Sequence, residues 1–559
     1  MVALPSRPAL SWLALVVVCS TILFSPAGWA KDKAAAVRPR LVVVVSVDQL
    51  RFDYITRFRN FLPKDGIRTL LQEGAFFTDA HYKYASTFTA PGHAVQLTGT
   101  YSYRNGIVSN RMYQRATGKD VEPVKDTTTQ LVGAKREATG SSPRLLIGST
   151  VGDELRLATN NRAKVVTMAL KDRASVLLGG HSGKAYWFDS TSGRFVTSSY
   201  YHDKAPKWLC DFNDQAGPDQ AFGTQWKRIG PEPAYTLATI DDAPFEGERA
   251  GLGRTFPHPL TGENNTRDKS YYRAWTFSPH AIHAQGALAK EIIVAEELGK
   301  DSTPDLLGIS LNTPDYVGHT FGPHSHEMIA MFFEVDRFMR DLLTTLNEEV
   351  GKGKFMIAFT ADHGVAPIPQ YAKSLGMNAG RVHKNRIQEV AEKALEGRYG
   401  KGPWVLSIQY PSVALDWDRM DKAGLDREEV RETAAVALRK EEGIAQVVTR
   451  TQILRKTLPN TPMTQMITRS FHPDRSGDLM VVLQPYWVLH KYGRPLGTGH
   501  GSPYTYDTHV PLILYGASIR PGVLRHPVEI TALAPTLSSI LGVSPPSQNE
   551  GQILQNALR

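Results

Sequence analysis

Five short apolar runs, unbroken rather than alternating, constrain this chain most. They are Leu41–Val47 (LVVVVSV), Lys164–Leu170 (KVVTMAL), Leu306–Leu311 (LLGISL), Phe355–Thr360 (FMIAFT) and Pro511–Tyr515 (PLILY). A strand that is apolar on both faces has to be covered on both faces, as parallel strands between two layers of helices are. Helical patterns separate the runs. Met328–Leu346 repeats Ile329, Phe332, Phe333, Phe338, Leu342 and Leu346 at near-helical spacing, and Ser149–Leu157 is a shorter case. Strand–helix alternation predicts an α/β fold with a mostly parallel central sheet flanked by helices. Two stretches break the rhythm. Residues from about 192 to 280 are rich in Gly, Pro, Asp and aromatics, and residues from about 373 to 487 hold their own strands and helices, Arg427–Arg439 among them. Both read as insertions into a single domain, 31–559, forming a cap that shapes access to a site.

Residues 1–30 read as a signal peptide: Arg7, an apolar run Ala9–Phe24, and small residues at Gly28 and Ala30 ahead of a cut before Lys31. The expected protein is periplasmic or secreted and free of the membrane after cleavage. Cys19 would leave with the leader, so Cys210 stands alone. No intramolecular disulfide and no four-cysteine zinc site can then form, and any metal must be held by His, Asp and Glu. The net charge of +9 is spread without a run of like charges, which excludes a nucleic-acid stripe and favours small anionic substrates. Oligomeric state is left open, with a monomer sufficient.

In open α/β sheets, ligands bind beyond the carboxyl ends of the strands. Here Leu41–Val47 runs into Asp48. Leu306–Leu311 runs into Asn312-Thr-Pro-Asp315, with His319 four residues on. Phe355–Thr360 runs into Asp362-His363, and Lys164–Leu170 into Lys171-Asp172-Arg173. With His500, the set Asp48, Asp315, His319, Asp362 and His363 supplies the oxygen and nitrogen donors that suit Zn²⁺. Asp315 and His319 would lie one helical turn apart. Six ligands are about what two ions need if each keeps an open position. Taken singly, Asp362-His363-Gly364 also reads as a turn, and Asp48 and Asp315 as helix caps. Thr89, before Pro91 and Gly92, is expected at a helix N-terminus, where a hydroxyl either caps the helix or has its alkoxide stabilised by the dipole. His93 reads as a packing residue. Lys171 and Arg173 on an extended segment would point to one side and fork a dianion. Asn110 is a neutral donor in a loop.

Together these segments resemble the alkaline phosphatase superfamily, in particular its threonine-nucleophile periplasmic alkaline phosphatases related to nucleotide pyrophosphatase/phosphodiesterases. The matching text is VSVDQLRFDY (45–54), TFTAPGHAVQLTGTY (87–101), RNGIVSNRMY (104–113), Lys171-Asp172-Arg173, NTPDYVGHTFGP (312–323), TADHGV (360–365) and TGHGSPY (498–504). The resemblance covers the core from about residue 38 to the end. It implies two Zn²⁺ ions: one on Asp315, His319 and His500, the other on Asp48, Asp362, His363 and the Thr89 oxygen. It implies Thr89 as the nucleophile, carrying a phosphothreonine intermediate, and Asn110, Lys171 and Arg173 as ligands of the phosphoryl oxygens. Family diesterases lack the Lys/Arg pair, so the expected substrates are small phosphate monoesters. A phosphodiesterase or nucleotide pyrophosphatase, and a secreted metal- or phosphate-binding protein without turnover, are the alternatives.

Overall fold

The structure, a computed structural model, describes residues 38–490 and 495–559; the expected leader at 1–30 lies outside them. Two sheets matter for the site. The strands, in chain order, are β1 (Leu41–Val47), β2 (Ala75–Phe77), β3 (Lys125–Val132), β4 (Thr139–Ser141), β5 (Val165–Ala169), β6 (Lys184–Asp189), β7 (Arg194–Ser198), β8 (Asp305–Leu311), β9 (Phe355–Thr360), β10 (Val405–Gln409), β11 (Ser412–Leu415), β12 (Ile444–Thr449), β13 (Leu479–Leu483), β14 (Leu512–Gly516) and β15 (Gly522–Leu524). The large sheet runs β15-β2-β14-β9-β1-β8-β5-β6-β7-β3-β4. Its centre, β9-β1-β8-β5-β6, is parallel.

The expected apolar runs form that centre. Every residue of β1, β5, β8 and β9 is buried, because helices cover both faces. Those used below are α1 (Thr89–Thr98), α2 (Asp172–Gly179), α3 (Thr313–Phe321), α4 (His326–Leu346) and α5 (Arg427–Arg439). The fold differs from the sequence expectation in two respects. The run Pro511–Tyr515 becomes β14, which pairs antiparallel with both β9 and β2; an apolar run reports burial but not direction. The first irregular stretch also begins later than residue 192. Residues 194–198 are β7, the second strand of a hairpin with β6. Gly193, at φ 67°, and the Asp189 carboxylate, which accepts from Ser192 N at 3.1 Å, make the turn that reads as loop in the sequence.

The second insertion builds its own antiparallel sheet, β10-β11-β13-β12, with α5 packed on it around Trp404, Leu415, Val430, Leu438 and Val481. Phe88 belongs to this same core, its ring 6.3 Å from that of Tyr410 and nearly perpendicular to it. The residue before Thr89 is thus anchored in the inserted layer. Among the described residues, no helix is long and apolar enough to cross a membrane.

Asp478, fully buried, ties that layer together. It accepts from Arg431 Nε at 2.8 Å, Arg115 Nη2 at 2.7 Å, Trp417 Nε1 at 2.7 Å and Leu415 N at 2.8 Å. Removing one partner of a buried ion pair leaves uncompensated charge. Asp478→Ala is therefore expected to cost about 3–5 kcal/mol in denaturant unfolding of the inserted layer; a loss below about 1 kcal/mol, the range of an exposed pair, would contradict this.

Candidate active site

The site follows from strand register. β9, β1, β8 and β5 are neighbours and run the same way. Ser46 pairs with both Thr360 and Ser310, and Ser310 with Ala169, so the strands end level. Adjacent strands lie about 4.8 Å apart, and the residues just past each end are brought together: Asp362 and His363 after β9, Asp48 after β1, Asn312 and Asp315 after β8, Lys171 after β5.

Two sets of donors result, in each of which the ligand atoms lie within 4.8 Å of one another. In the first, Asp48, Asp362 and His363 are all fully buried. His363 Nε2 is 3.4 Å from Asp48 Oδ1 and 3.4 Å from Asp362 Oδ2. None of these three atoms has a hydrogen-bond partner among the described residues. In the second, His319 Nε2 and His500 Nε2 lie 3.2 Å and 3.5 Å from Asp315 Oδ1. Asp315 and His319 are one turn apart on α3, as their spacing predicts.

The ring orientations are fixed from behind. His363 Nδ1 lies 2.9 Å from the Gly364 carbonyl, His319 Nδ1 2.9 Å from that of Thr498, and His500 Nδ1 2.7 Å from that of Thr87. A carbonyl only accepts, so each Nδ1 carries the proton and each Nε2 turns its lone pair inward. Convergent, orphaned carboxylate and imidazole lone pairs in a buried pocket fit divalent metal ions. A third group, Asp79, His81 and His509, differs in that its nitrogens already have partners: His81 Nε2 lies 2.7 Å from Asp79 Oδ1 and His509 Nε2 3.1 Å from the Thr78 carbonyl.

Charge in the pocket is balanced by Lys171. Its Nζ lies 2.6 Å from Asp48 Oδ2 and 2.5 Å from Asp315 Oδ2. Burial opposes its charge, but Asp315 and Asp48 outweigh burial and hold its pKa above the ordinary lysine value. Burial likewise opposes ionisation of Asp315, yet Lys171 and His319 keep its carboxyl well below the usual range. Asp362 goes the other way: burial, then the nearby Asp48 charge, push it up to about 7. Burial and His500 hold His363 neutral, well below the usual imidazole range.

The expected extended Lys171–Arg173 segment is not what forms. Lys171 is the N-cap of α2, and Asp172 and Arg173 are its first two residues. The aspartate between the two cations favours a helix start, so Lys171 turns into the pocket while Arg173 stays half-buried, its Nε without a partner among the described residues. Thr89 is the first residue of α1; Phe88 is the N-cap and the helix has no side-chain cap. The Thr89 hydroxyl is therefore not spent on capping. Asn110 Oδ1 accepts from Ala90 N at 2.9 Å, which turns its amide nitrogen away from the helix. α1 reaches the strand ends at Gly92, where a Cβ would meet the Asp362 carbonyl oxygen at 2.4 Å. His93, the expected packing residue, links the Thr89 carbonyl (2.8 Å) to Ser310 Oγ (2.8 Å).

Two residues escaped the sequence reading. Gln49 donates its backbone N–H to Asp362 Oδ1 at 3.1 Å and its Nε2 to Asp315 Oδ1 at 2.7 Å. It thus braces one carboxylate of each set, and it sits at φ 69°, where a non-glycine residue is strained. Gly318 makes room for it, since a Cβ there would lie 1.8 Å from Gln49 Oε1. Asn312 donates to Asp48 Oδ2 at 2.9 Å and accepts from Leu170 N and Lys171 N at 2.7 and 3.0 Å. Neutral amides carry no charge pattern; their place directly after a strand end is the only signal.

The family model for type I phosphodiesterase/nucleotide pyrophosphatase matches residues 42–508. The chain is 32% identical over 551 residues to a Myroides odoratus protein named calcium-transporting ATPase, covering 97% of this chain and 98% of that one. It is 33% identical over 544 residues to alkaline phosphatase PafA of Elizabethkingia meningoseptica, covering 97% of each. The crystal structure of wild-type PafA superposes with a TM-score of 0.86 at 31% identity, over 93% of this chain and 99% of that one. A second solved PafA structure carries substitutions at a threonine, an asparagine, a lysine and an arginine.

Gln49→Ala removes the Nε2 donor to Asp315 while keeping the backbone N–H that Asp362 accepts. Outer-shell partners of ligands are worth about 10–100-fold in metal affinity. That weakening is expected in chelator competition with the folded variant; unchanged affinity would contradict the bracing role.

Proposed function

The chain belongs to the type I phosphodiesterase/nucleotide pyrophosphatase family, and from that membership we propose that it is an exported, zinc-dependent alkaline phosphatase that hydrolyses small phosphate monoesters through a phosphothreonine at Thr89. The observation that carries the reading is the buried Lys171 ammonium set between Asp48 and Asp315, with Arg173 two residues on. The similarity to PafA over nearly the whole chain supports it. The leader-like residues 1–30 support export.

In this reading Asp315, His319 and His500 hold one zinc, and Asp48, Asp362, His363 and the Thr89 oxygen hold the other. Bound there, the two ions supply positive charge to the attacking and leaving oxygens of an in-line displacement. The chain's own residues do the rest. Thr89, at the positive end of the α1 dipole, gives up its hydroxyl proton to solvent and attacks phosphorus as its alkoxide. The bond to the ester oxygen breaks, and the leaving alkoxide takes a proton from water. Water then attacks the phosphothreonine, releasing inorganic phosphate and restoring the hydroxyl. Asn110, Lys171 and Arg173 bind the non-bridging oxygens and position them. An ammonium has three donors; two of those on Lys171 face carboxylates, which leaves one for substrate.

That pair decides the substrate class. A monoester presents a dianionic group with three free oxygens, whereas a diester has a substituent where one oxygen would be. The family also admits diesterases and pyrophosphatases, and the cations favour the monoester.

Thr89→Ala is expected to abolish labelling of the protein from a ³²P-monoester after acid quench; a phosphoprotein formed at the wild-type level by the variant would remove Thr89 from its role. Each charge-assisted hydrogen bond is worth about 1.5–3 kcal/mol. Lys171→Ala with Arg173→Ala should therefore lower kcat/KM for an aryl monoester by about 10²–10⁴-fold and for a diester far less. Equal losses on both substrates would show that the pair does not select the monoester.

A further inference from the structure

One stretch of chain, residues 498–507, touches all three imidazoles of the two donor sets. It carries His500. Near its start, His319 Nδ1 donates to the Thr498 carbonyl at 2.9 Å, and Thr498 N donates back to the His319 carbonyl at 3.0 Å. At its end, the Asp507 carbonyl accepts from Gly364 N at 2.7 Å and the Tyr506 carbonyl from Val365 N at 2.9 Å. The Gly364 carbonyl in turn holds His363 Nδ1. Between the two, Ala366 N donates to the Gly499 carbonyl at 3.2 Å. Residues 498–504 form neither helix nor strand, so no regular backbone ladder sets the shape of a segment on which three rings depend.

Asp507 closes this segment on itself. It lies in the short helix Thr505–Thr508 and is fully buried. Its Oδ2 accepts from Ser502 N at 2.9 Å and from Ser502 Oγ at 2.6 Å. Ser502, so held, offers its carbonyl to Thr87 Oγ1 at 2.9 Å. The Thr87 carbonyl then accepts from His500 Nδ1 at 2.7 Å. Asp507, Ser502 and Thr87 are all buried, where a broken hydrogen bond leaves its partner unsatisfied. The chain of contacts is therefore stiff from the carboxylate to the ring. Through its side chain Asp507 reaches His500, and through its own carbonyl and Gly364 it reaches His363, so it stands behind one imidazole of each donor set.

We propose that Asp507 is a positioning residue of the metal centre: its carboxylate closes residues 498–507 into a clamp that fixes the His500 imidazole. This rests on the reading of His500 as a zinc ligand. The carboxylate touches neither the ion nor the substrate. It acts by pre-organisation, since a ring already aimed inward loses less freedom when the ion binds.

Chelator competition on the full-length protein, stripped of metal and reloaded with zinc, reads the effect. Asp507→Ala removes the acceptor of both Ser502 bonds and should weaken one zinc equivalent by about tenfold or more. Asp507→Asn keeps an accepting oxygen and should restore most of that affinity. Melting separates positioning from support of the fold. A ligand stabilises the folded state in step with its affinity, so the zinc-induced rise in Tm should be smaller for Asp507→Ala than for the wild type. A residue that only supports the fold would lower the Tm of the zinc-free protein and leave zinc affinity as in the wild type. That result, or an equal loss of affinity in Asp507→Asn, would overturn the proposal. If Asp507→Ala does not fold, Ser502→Ala and Thr87→Val decide, as each removes one hydroxyl from the chain of contacts: weaker zinc in either supports the clamp, and wild-type affinity in both overturns it. A wild type that holds no zinc against the chelator is a separate failure, since it removes the zinc reading itself and this inference with it.

Discussion

Three aspartates, each almost wholly removed from water, stand at the ends of three neighbouring parallel strands. Their repulsion is the constraint to which the rest of the centre responds. Buried charge is tolerated only when it is paired and hydrogen-bonded. Lys171 answers Asp48 and Asp315 directly. Gln49 and Asn312 answer with amide donors. Asp362 keeps a raised pKa, pushed up by burial and Asp48, although His93 Nδ1 lies 3.3 Å from its Oδ2. The atoms that remain unpaired converge with the inward-facing imidazole nitrogens, so the same packing that creates the electrostatic cost also makes a cradle for divalent cations.

The nucleophile candidate reaches this cradle from a different layer. α1 is held on two sides. Gly92 lets its backbone approach that of Asp362, and His93 spans from the Thr89 carbonyl to β8. Phe88, one residue ahead of the helix, is packed into the core of the second insertion, and the neighbouring Thr87 carbonyl orients His500. The inserted layer and the His500 imidazole, a candidate ligand, therefore share one short segment. The inserted layer thus packs directly against the residue that precedes Thr89.

Much of this was legible in the sequence, for a physical reason. A strand buried on both faces must be written as an unbroken apolar run, so Leu41–Val47 and Phe355–Thr360 announce both their class and where they end, and in parallel sheets the ends are where ligands bind. The Asp/His set stood out because several strand ends carry such residues at once; taken singly, each also reads as a turn or a helix cap. What stayed hidden was what the alphabet does not encode. The direction of Pro511–Tyr515 depends on its partners. The conformation of Lys171–Arg173 was decided by Asp172, which starts a helix. Gln49 and Asn312 work as neutral amides whose importance lies in where their two ends point.

The claim on which the account depends is that two cations occupy the two donor sets. Diffraction from crystals of the zinc-loaded enzyme, with data on both sides of the zinc absorption edge, measures this without reference to activity. The account predicts two anomalous peaks about 3.5–4 Å apart, one bonded to Asp315, His319 and His500 and the other to Asp48, Asp362 and His363. A single peak, or zinc bound elsewhere while these six side chains keep the contacts seen here, would contradict it.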